Sequence, residues 1–291
     1  MNIGITGRRG WIGSQVFNFL KKNKFKLFDL DKFTLHYSKY KKIKRVPKMK
    51  FILHFASKTS IEQSFKNPFM TYFNNILSTL IVLQLAHKSR ATLIIISSYV
   101  YGKPKKLPIN EKHPTESTNP YMSSKLLSDK ISDEISKLLK IKTIILRPFN
   151  IYGSGLKKGM LIPDLINQGL KRKNLILKNP SSSRDYVYIK DFNLLMLRIL
   201  KKKIKKNNIY NVGSGKTYSN LYIAKEIDKY FKKSKLIIQK KPRSNDIKKV
   251  VSSCKKIHDD FKWKIKYSIN QGIKDIIKKK INDYSYYSGL Q

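Results

Sequence analysis

The sequence predicts an α/β protein built on a doubly wound, mostly parallel sheet. Three observations carry that expectation: apolar runs of strand length alternate with longer helical patterns, the chain opens directly on a strand, and glycines mark the first strand-to-helix turn. Strands are expected at Ile3–Thr6, Lys26–Leu30, Phe51–Phe55, Leu93–Ser97 and Thr143–Leu146. Helices near 12–22, 72–89 and 120–139 fall between them, as crossovers in a parallel sheet require. Beyond about residue 153 the pattern is mixed, with a helix near 160–173, a strand near 174–178 and helices near 190–203, 219–232 and 268–280. Residues 1–153 are therefore expected to form the sheet domain, to which later segments also contribute strands. Residues 154–291 should form mainly a smaller, mixed α/β substrate-binding lobe. The 281–291 tail carries no pattern, and neither an internal repeat nor a Pro/Ser/Gly linker divides the chain.

The 291 residues are 41% hydrophobic and 11% aromatic, which excludes wholesale disorder. The lone cysteine, Cys254, allows no internal disulfide and no cysteine metal cluster, so a reducing compartment and no metal are expected. No unbroken apolar run approaches the roughly 20 residues of a membrane span, and the first residues read as a strand with no room for a signal peptide. A soluble, cytoplasmic protein is expected. Its charge is unusual: 62 Lys and Arg against 18 Asp and Glu give +44, and only 9 of the 62 are Arg. Lysines recur at 21–26, 39–50, 201–206, 232–241 and 274–280 instead of gathering in one stretch. Nucleic-acid readers favour Arg and a single basic face, so a nucleic-acid-binding scaffold is the remote alternative. The field still draws in anionic ligands such as dinucleotides and nucleoside diphosphates.

Directly after the first strand comes Thr6-Gly7-Arg8-Arg9-Gly10-Trp11-Ile12-Gly13, which runs into an amphipathic helix. Glycines so spaced let the backbone turn tightly and approach a pyrophosphate, and the helix N-terminus supplies free N–H groups. A Rossmann-like, dinucleotide-binding domain follows from that context. The second strand ends in Phe28-Asp29-Leu30-Asp31. A carboxylate there accepts hydrogen bonds from a ribose with a free 2′-hydroxyl, so Asp31 favours NAD. Arg9 pulls toward a 2′-phosphate, and NADP stays open.

Tyr121 and Lys125 are separated by one helical turn and share a helix face. The spacing alone is uninformative, because six Tyr-x-x-x-Lys pairs occur, starting at Tyr37, Tyr40, Tyr99, Tyr101, Tyr121 and Tyr186. Position singles out Tyr121, which opens a long helix after Asn119-Pro120 and follows a buried strand ending in Ser97-Ser98. That strand end is expected beside the glycine turn. A tyrosine near its ordinary pKa of about 10 is a poor base at neutral pH. A nearby ammonium and a positive nicotinamide ring lower that value, so the phenolate can take a hydroxyl proton while the Ser97 hydroxyl fixes the same oxygen.

Together these residues resemble the extended short-chain dehydrogenase/reductase family, the nucleotide-sugar epimerases and dehydratases. The likeness covers most of the chain in order. After the glycine turn come His54-Phe55-Ala56-Ser57, Ser64 with Asn67-Pro68, Asn75-Ile76-Leu77-Ser78-Thr79, and Ser97-Ser98-Tyr99-Val100-Tyr101-Gly102 with Tyr121 and Lys125. Arg147-Pro148-Phe149-Asn150-Ile151-Tyr152-Gly153, Arg184-Asp185-Tyr186-Val187-Tyr188, Asn211-Val212-Gly213-Ser214-Gly215 and Arg243-Ser244-Asn245-Asp246 complete the set. The resemblance implies a cofactor held by Gly7, Arg9, Gly10, Trp11, Ile12, Gly13 and Asp31, then by Phe55, Ala56, Ser57 and Asn75. Tyr121, Lys125 and Phe149 would sit at its nicotinamide. It implies that Ser98, Asn150 and Arg184 meet the sugar and its diphosphate, with Arg243 and Asp246 around the nucleoside. Homodimers through two helices, here 72–89 and 120–139, are common in the family. One departure is visible: only about twenty residues separate Asp31 from the Phe51 strand, where the family usually fits another helix and strand.

Family dehydratases carry acidic residues after the catalytic Ser or Thr, where this chain has Ser98 and Tyr99. The resemblance therefore implies hydride-only chemistry at a sugar carbinol, C4 by preference. An NAD(P)-dependent nucleotide-sugar epimerase is the expectation; an NAD(P)H-dependent reductase of a nucleotide-linked 4-keto-6-deoxy sugar is the close alternative.

Overall fold

A computed structural model describes residues 1–34, 46–156, 159–239 and 247–288. The first half runs β1 (Asn2–Thr6), α1 (Trp11–Lys22), β2 (Lys26–Asp29), α2 (Asp31–Thr34), β3 (Phe51–His54), α3 (Ile61–Lys66), α4 (Pro68–Ser89), β4 (Thr92–Ile96), α5 (Pro120–Leu138) and β5 (Thr143–Pro148). Then follow β6 (Asn150–Tyr152), α6 (Leu161–Leu170), β7 (Leu175–Leu177), β8 (Ser183–Arg184), β9 (Tyr186–Tyr188), α7 (Ile189–Lys201), β10 (Asn208–Val212), β11 (Tyr218–Ser219), α8 (Asn220–Asp228), β12 (Leu236–Ile238), α9 (Lys255–Phe261) and α10 (Ile269–Ser288).

Six strands form one sheet in the order β10-β5-β4-β3-β1-β2, and every pairing is parallel. Successive residues point to opposite faces. Ile3, Ile5, Leu53, Ile94, Ile96, Ile144 and Leu146 pack with α1 and α7 on one side; Ile52, Leu93, Ile95 and Ile145 pack with α4 and α5 on the other. Burial on both faces is why these strands read as apolar runs without alternation. Three two-stranded pairings, β6–β9, β8–β11 and β7–β12, lie outside the main sheet.

Local chemistry starts the two long crossover helices. Asn67 Oδ1 accepts the Met70 amide at 3.0 Å and Asn119 Oδ1 accepts the Met122 amide at 2.9 Å, and a proline follows each asparagine. Caps of this kind contribute about 1 kcal/mol, and proline in the first turn sacrifices no helical hydrogen bond. Both helices thus begin at the carboxyl end of the sheet, and α4 and α5 pack side by side on its second face.

Three expectations change. β3 lies between β1 and β4, so the glycine turn neighbours the His54–Ser57 segment and not the end of β4. The helix expected near 268–280 continues to Ser288, with no apolar periodicity beyond Ile281 to mark it. Helix α4 has 22 residues and a mean hydropathy of 1.3, long and apolar enough to cross a membrane. Asn74-Asn75 and Ser78-Thr79 interrupt its apolar run, which hides that property from a count of unbroken residues. Half of its apolar window is buried inside the protein, and Asn75, Ser78 and Thr79 face inward, as in a core helix.

Candidate active site

The chain leaves β1 through Gly7 with φ at +73°. A Cβ on Gly7 would lie 2.5 Å from the Ala56 amide nitrogen, and one on Gly13 would lie 2.1 Å from the Gly7 carbonyl oxygen. Only glycine allows the first conformation and the second approach. Helix α1 then starts at Trp11 with no side-chain cap and no acidic residue in its first turn. Its leading amides and its dipole therefore favour an anion. This cradle fits the pyrophosphate of a dinucleotide.

Other expected cofactor residues brace the cradle. Asp31 is buried and accepts the Gly7 N–H; burial pushes its carboxyl up and that N–H opposes the push. Asp29, also at the end of β2, pairs with Arg8 at 3.3 Å, while Arg9 is exposed and its charge acts on Asp31. Ile12 packs against the core on the α1 and α7 side of the sheet. Trp11 Nε1 donates to the Ser154 carbonyl at 2.9 Å, which ties the turn to the segment after β6.

At the end of β3, His54 Nδ1 and Thr6 Oγ1 share a hydrogen bond of 2.8 Å. The ring is buried with no hydrogen-bond partner at Nε2. Burial first, and the Lys125 charge second, pull its pKa down to about 3, so it is neutral. Phe55 and Ala56 follow, the Ala56 N–H reaching Thr6 Oγ1 at 3.3 Å. Asn75 secures the next residues. Its Oδ1 accepts Ser57 Oγ (3.0 Å) and the Lys58 amide (2.7 Å), and its Nδ2 donates to the Lys58 carbonyl (3.1 Å) and Ser124 Oγ (2.8 Å). Asn75 therefore joins the loop after β3 to the helix that carries Tyr121.

Asn119-Pro120 places Tyr121 in the first turn of α5 and Lys125 one turn deeper. Lys125 is buried, and its Nζ donates to the Ile96 carbonyl at 2.7 Å. Burial lowers its pKa to about 8 against the opposing charge of Asp129. Burial raises the Tyr121 phenol, a hydrogen bond with the Ser98 hydroxyl lowers it, and the Asp129 charge raises it. Ser97, one residue earlier, is buried beside the Asp129 carboxyl, at a geometry short of a full hydrogen bond. Ser98, Tyr121 and Lys125 thus converge at the carboxyl end of β4, with Ser97 turned behind them. Two rival tyrosines are committed elsewhere: Tyr99 donates to the Gly102 carbonyl (2.7 Å) and Tyr101 to Asn211 Oδ1 (2.6 Å). Tyr37 and Tyr40 lie outside the described residues.

Sequence reasoning misses the buried chain of polar groups behind this set. Asp129 Oδ2 accepts Arg147 Nε at 3.0 Å, an Arg147 terminal nitrogen donates to the Tyr101 hydroxyl at 3.2 Å, and Asn211 Nδ2 continues to the Ile109 carbonyl at 3.0 Å. The available signal was Asp129 itself, four residues after Lys125 on the same helix face.

On the expected substrate side, Phe149 is buried and meets Tyr99 edge to face at 5.5 Å. Asn150 Nδ2 donates to the Asp185 carbonyl at 3.1 Å. Arg184 donates to the carbonyls of Ile247 (2.6 Å) and Ser183 (3.0 Å), and its charge reaches Tyr99. Its neighbour Asp185 turns the other way, fully buried, and collects the amides of Ser214, Gly215 and Ser252 with the hydroxyls of Ser214 and Ser252. Arg243 and Asp246 lie outside the described residues.

The chain matches the NAD dependent epimerase/dehydratase family over residues 3–213. It is 28% identical over 246 residues to a UDP-glucose 4-epimerase of Mycoplasma genitalium, an alignment covering 76% of this chain and 71% of that one. It is 26% identical over 233 residues to the UDP-glucose 4-epimerase GEPI48 of Cyamopsis tetragonoloba, covering 72% of this chain and 66% of that one. Its fold is similar to that of UDP-glucose 4-epimerase with UDP-glucose from Thermotoga maritima, at a TM-score of 0.89, 21% identity, and coverage of 98% of this chain and 100% of the other. RMD from Pseudomonas aeruginosa complexed with NADPH follows at a TM-score of 0.86 and 24% identity, covering 97% of this chain and 99% of that one. At these identities the structural likeness is one of fold.

Proposed function

The chain belongs to the NAD dependent epimerase/dehydratase family, and we propose that it inverts a carbinol of a nucleoside-diphosphate sugar, foremost C4 of a UDP-hexose. The observation that carries this reading is the convergence of Tyr121, Lys125 and Ser98 in the same sheet end as the glycine cradle. The relatives named UDP-glucose 4-epimerase support the choice of sugar and base. NAD, when bound, supplies the acceptor for the sugar's hydride and its donor on return. Asp31 favours NAD over NADP, and Arg9 keeps the latter open. Gly7, Gly10, Trp11, Ile12 and Gly13 would hold the pyrophosphate, and Phe55, Ala56, Ser57, Asn75 and Phe149 would border the rest.

Tyr121 moves the proton. Its phenolate oxygen takes the proton of the sugar hydroxyl and later gives it back. Burial alone makes that phenol too weak an acid, so its neighbours must favour the anion. Ser98 donates a hydrogen bond to the phenol oxygen, and the Lys125 ammonium adds positive charge one turn away. Ser97 braces the same strand end through Asp129. Asn150 and Arg184 would orient the diphosphate, with Arg243 and Asp246 around the nucleoside. Elimination is disfavoured, because the residues between Ser97 and Val100 are Ser98 and Tyr99, neither of them a carboxylate.

We also assign a homodimer through α4 and α5. Helix α4 carries one charged side chain, Lys88, and outside its buried Lys125 and Asp129, α5 balances Lys130 and Lys137 against Asp133 and Glu134. In a chain of net charge +44, this neutral face is where two copies can approach. Phe69, Phe73, Leu80 and Leu127 are exposed on these two helices.

The test is incubation of the purified protein with nucleotide sugars while reduced cofactor and sugar isomers are both followed. Exchange of isomers without net cofactor use supports the proposal. Stoichiometric oxidation of NAD(P)H with a 4-keto sugar, and no isomer exchange, replaces it with the reductase.

A further inference from the structure

We propose that the buried Asp185–Ser252 pair is a positioning device: it fixes the segment whose Ile247 carbonyl aims Arg184 at the diphosphate. The inference rests on the diphosphate role of Arg184 proposed above.

The Arg184 guanidinium donates to the Ile247 carbonyl at 2.6 Å and to the Ser183 carbonyl at 3.0 Å. A carbonyl has no net charge, so it orients this permanently protonated group without neutralising it. Where the guanidinium points therefore depends on where Ile247 lies. Residues 247–253 are attached at three places. The Lys248 carbonyl accepts the Ser183 amide (2.8 Å), and the Val250 amide donates to the Ser183 carbonyl (3.1 Å). The Val251 carbonyl accepts the Ile109 amide (2.9 Å), and the Ser253 amide donates to the Ile109 carbonyl (2.7 Å). The third attachment is Ser252, whose amide (3.0 Å) and hydroxyl (2.6 Å) both donate to Asp185 Oδ2. It is the one of the three that a side-chain change can remove.

Asp185 and Ser252 are 0% and 1% exposed, so water does not compete for these bonds. The other carboxylate oxygen, Oδ1, takes the amide and the hydroxyl of Ser214, each at 2.6 Å, on the turn after β10. The same edge of the main sheet carries Phe149, whose amide donates to the Val212 carbonyl at 2.9 Å. Asp185 thus registers the segment that holds Arg184 on the sheet end that holds Phe149. Gly213 keeps the space the pair needs: a Cβ there would lie 1.9 Å from Ser252 Oγ and 2.7 Å from Asp185 Oδ2. The joint sets how far the phosphate anchor stands from the expected nicotinamide neighbour.

The experiment is calorimetric binding of UDP to the full chain in Ser252→Ala and Ser214→Ala, with Arg184→Ala as the reference. Each serine variant takes one hydroxyl from the same carboxylate, so a purely structural role would lower melting temperatures without separating their UDP affinities. Only Ser252 lies on the segment that holds Arg184. Losing a hydrogen bond to a charged group is worth roughly tenfold or more in Kd, the weakening expected for Arg184→Ala. Ser252→Ala should show a several-fold share of that loss, and Ser214→Ala little change, with bound NAD unaltered in all three. Equal affinities in the two serine variants, with Arg184→Ala weakened, overturn the inference and leave the proposed function standing. A wild-type protein that takes up no UDP overturns the proposed function and the inference with it. If Ser252→Ala does not fold, Asp185→Asn keeps the side chain's size and gives up one acceptor. Weaker UDP binding at unchanged NAD content then supports the proposal, and unweakened binding overturns it.

Discussion

Ser97 and Ser98 are neighbours in sequence but serve opposite sides of the same strand end, because an extended chain alternates its side chains. Ser98 meets the Tyr121 phenol and Ser97 meets Asp129. Losing a donor to a charged oxygen costs about 1.5–3 kcal/mol, so Ser98→Ala should lower kcat roughly 10- to 100-fold. Ser97→Ala should show mainly in thermal stability. Steady-state rates and melting curves of the two variants check this, and a reversed ranking contradicts it. His54 offers a separate readout. Its folded pKa of about 3 lies below the ordinary 6.5, so the unfolded chain binds the extra proton between those values. The stability it contributes is whole above pH 6.5 and is lost as pH falls toward 3, at about 1.4 kcal/mol per unit. Urea unfolding across that range should show a shallower acid loss for His54→Gln than for the wild type; parallel curves would refute the assignment. Tyr121 and Lys125 were legible because Asn119-Pro120 announces a helix start. Which serine faces the phenol, and that Arg147 closes on Asp129, depend on contacts between residues 18 and more apart, and no local spacing encodes them.

The helices α4 and α5 carry both the candidate site and the proposed partner surface, on opposite sides. Inward, Asn75, Ser124, Lys125 and Asp129 are buried; outward, Phe69 and Phe73 remain exposed at 85% and 58%. Phe69→Glu with Phe73→Glu should convert a dimer to a monomer by sedimentation, with the circular dichroism spectrum unchanged. A mass unaffected by the pair would place the interface elsewhere. At this scale the first five sheet strands were legible, since double burial makes each an apolar run. β10 was only implied by later strand contributions: its Asn-Ile-Tyr-Asn-Val carries two asparagines, and its partner β5 lies some sixty residues earlier. The end of α10 was not legible either, because an apolar stripe is the signal that sequence offers for a helix, and none continues past Ile281.

For the whole molecule, the excess of lysine is the dominant long-range feature. A net charge of +44 attracts a dianionic nucleotide sugar from solution, and salt screens that attraction. KM for a nucleotide sugar should therefore rise several-fold between about 50 mM and 500 mM salt, with kcat nearly constant; a flat KM would assign the charge no part in substrate capture. The order of motifs along the chain conveyed the α/β architecture, while the insertion of β3 between the glycine turn and β4 emerged only in three dimensions. The proposed reaction depends on one oxygen atom, that of the Tyr121 phenol. Tyr121→Phe, assayed for UDP-hexose isomer exchange and separately for retained cofactor, is its most direct test. The expected result is a loss of at least about 100-fold in turnover with cofactor still bound, whereas turnover within a few-fold of the wild type would show that the proton moves through another group.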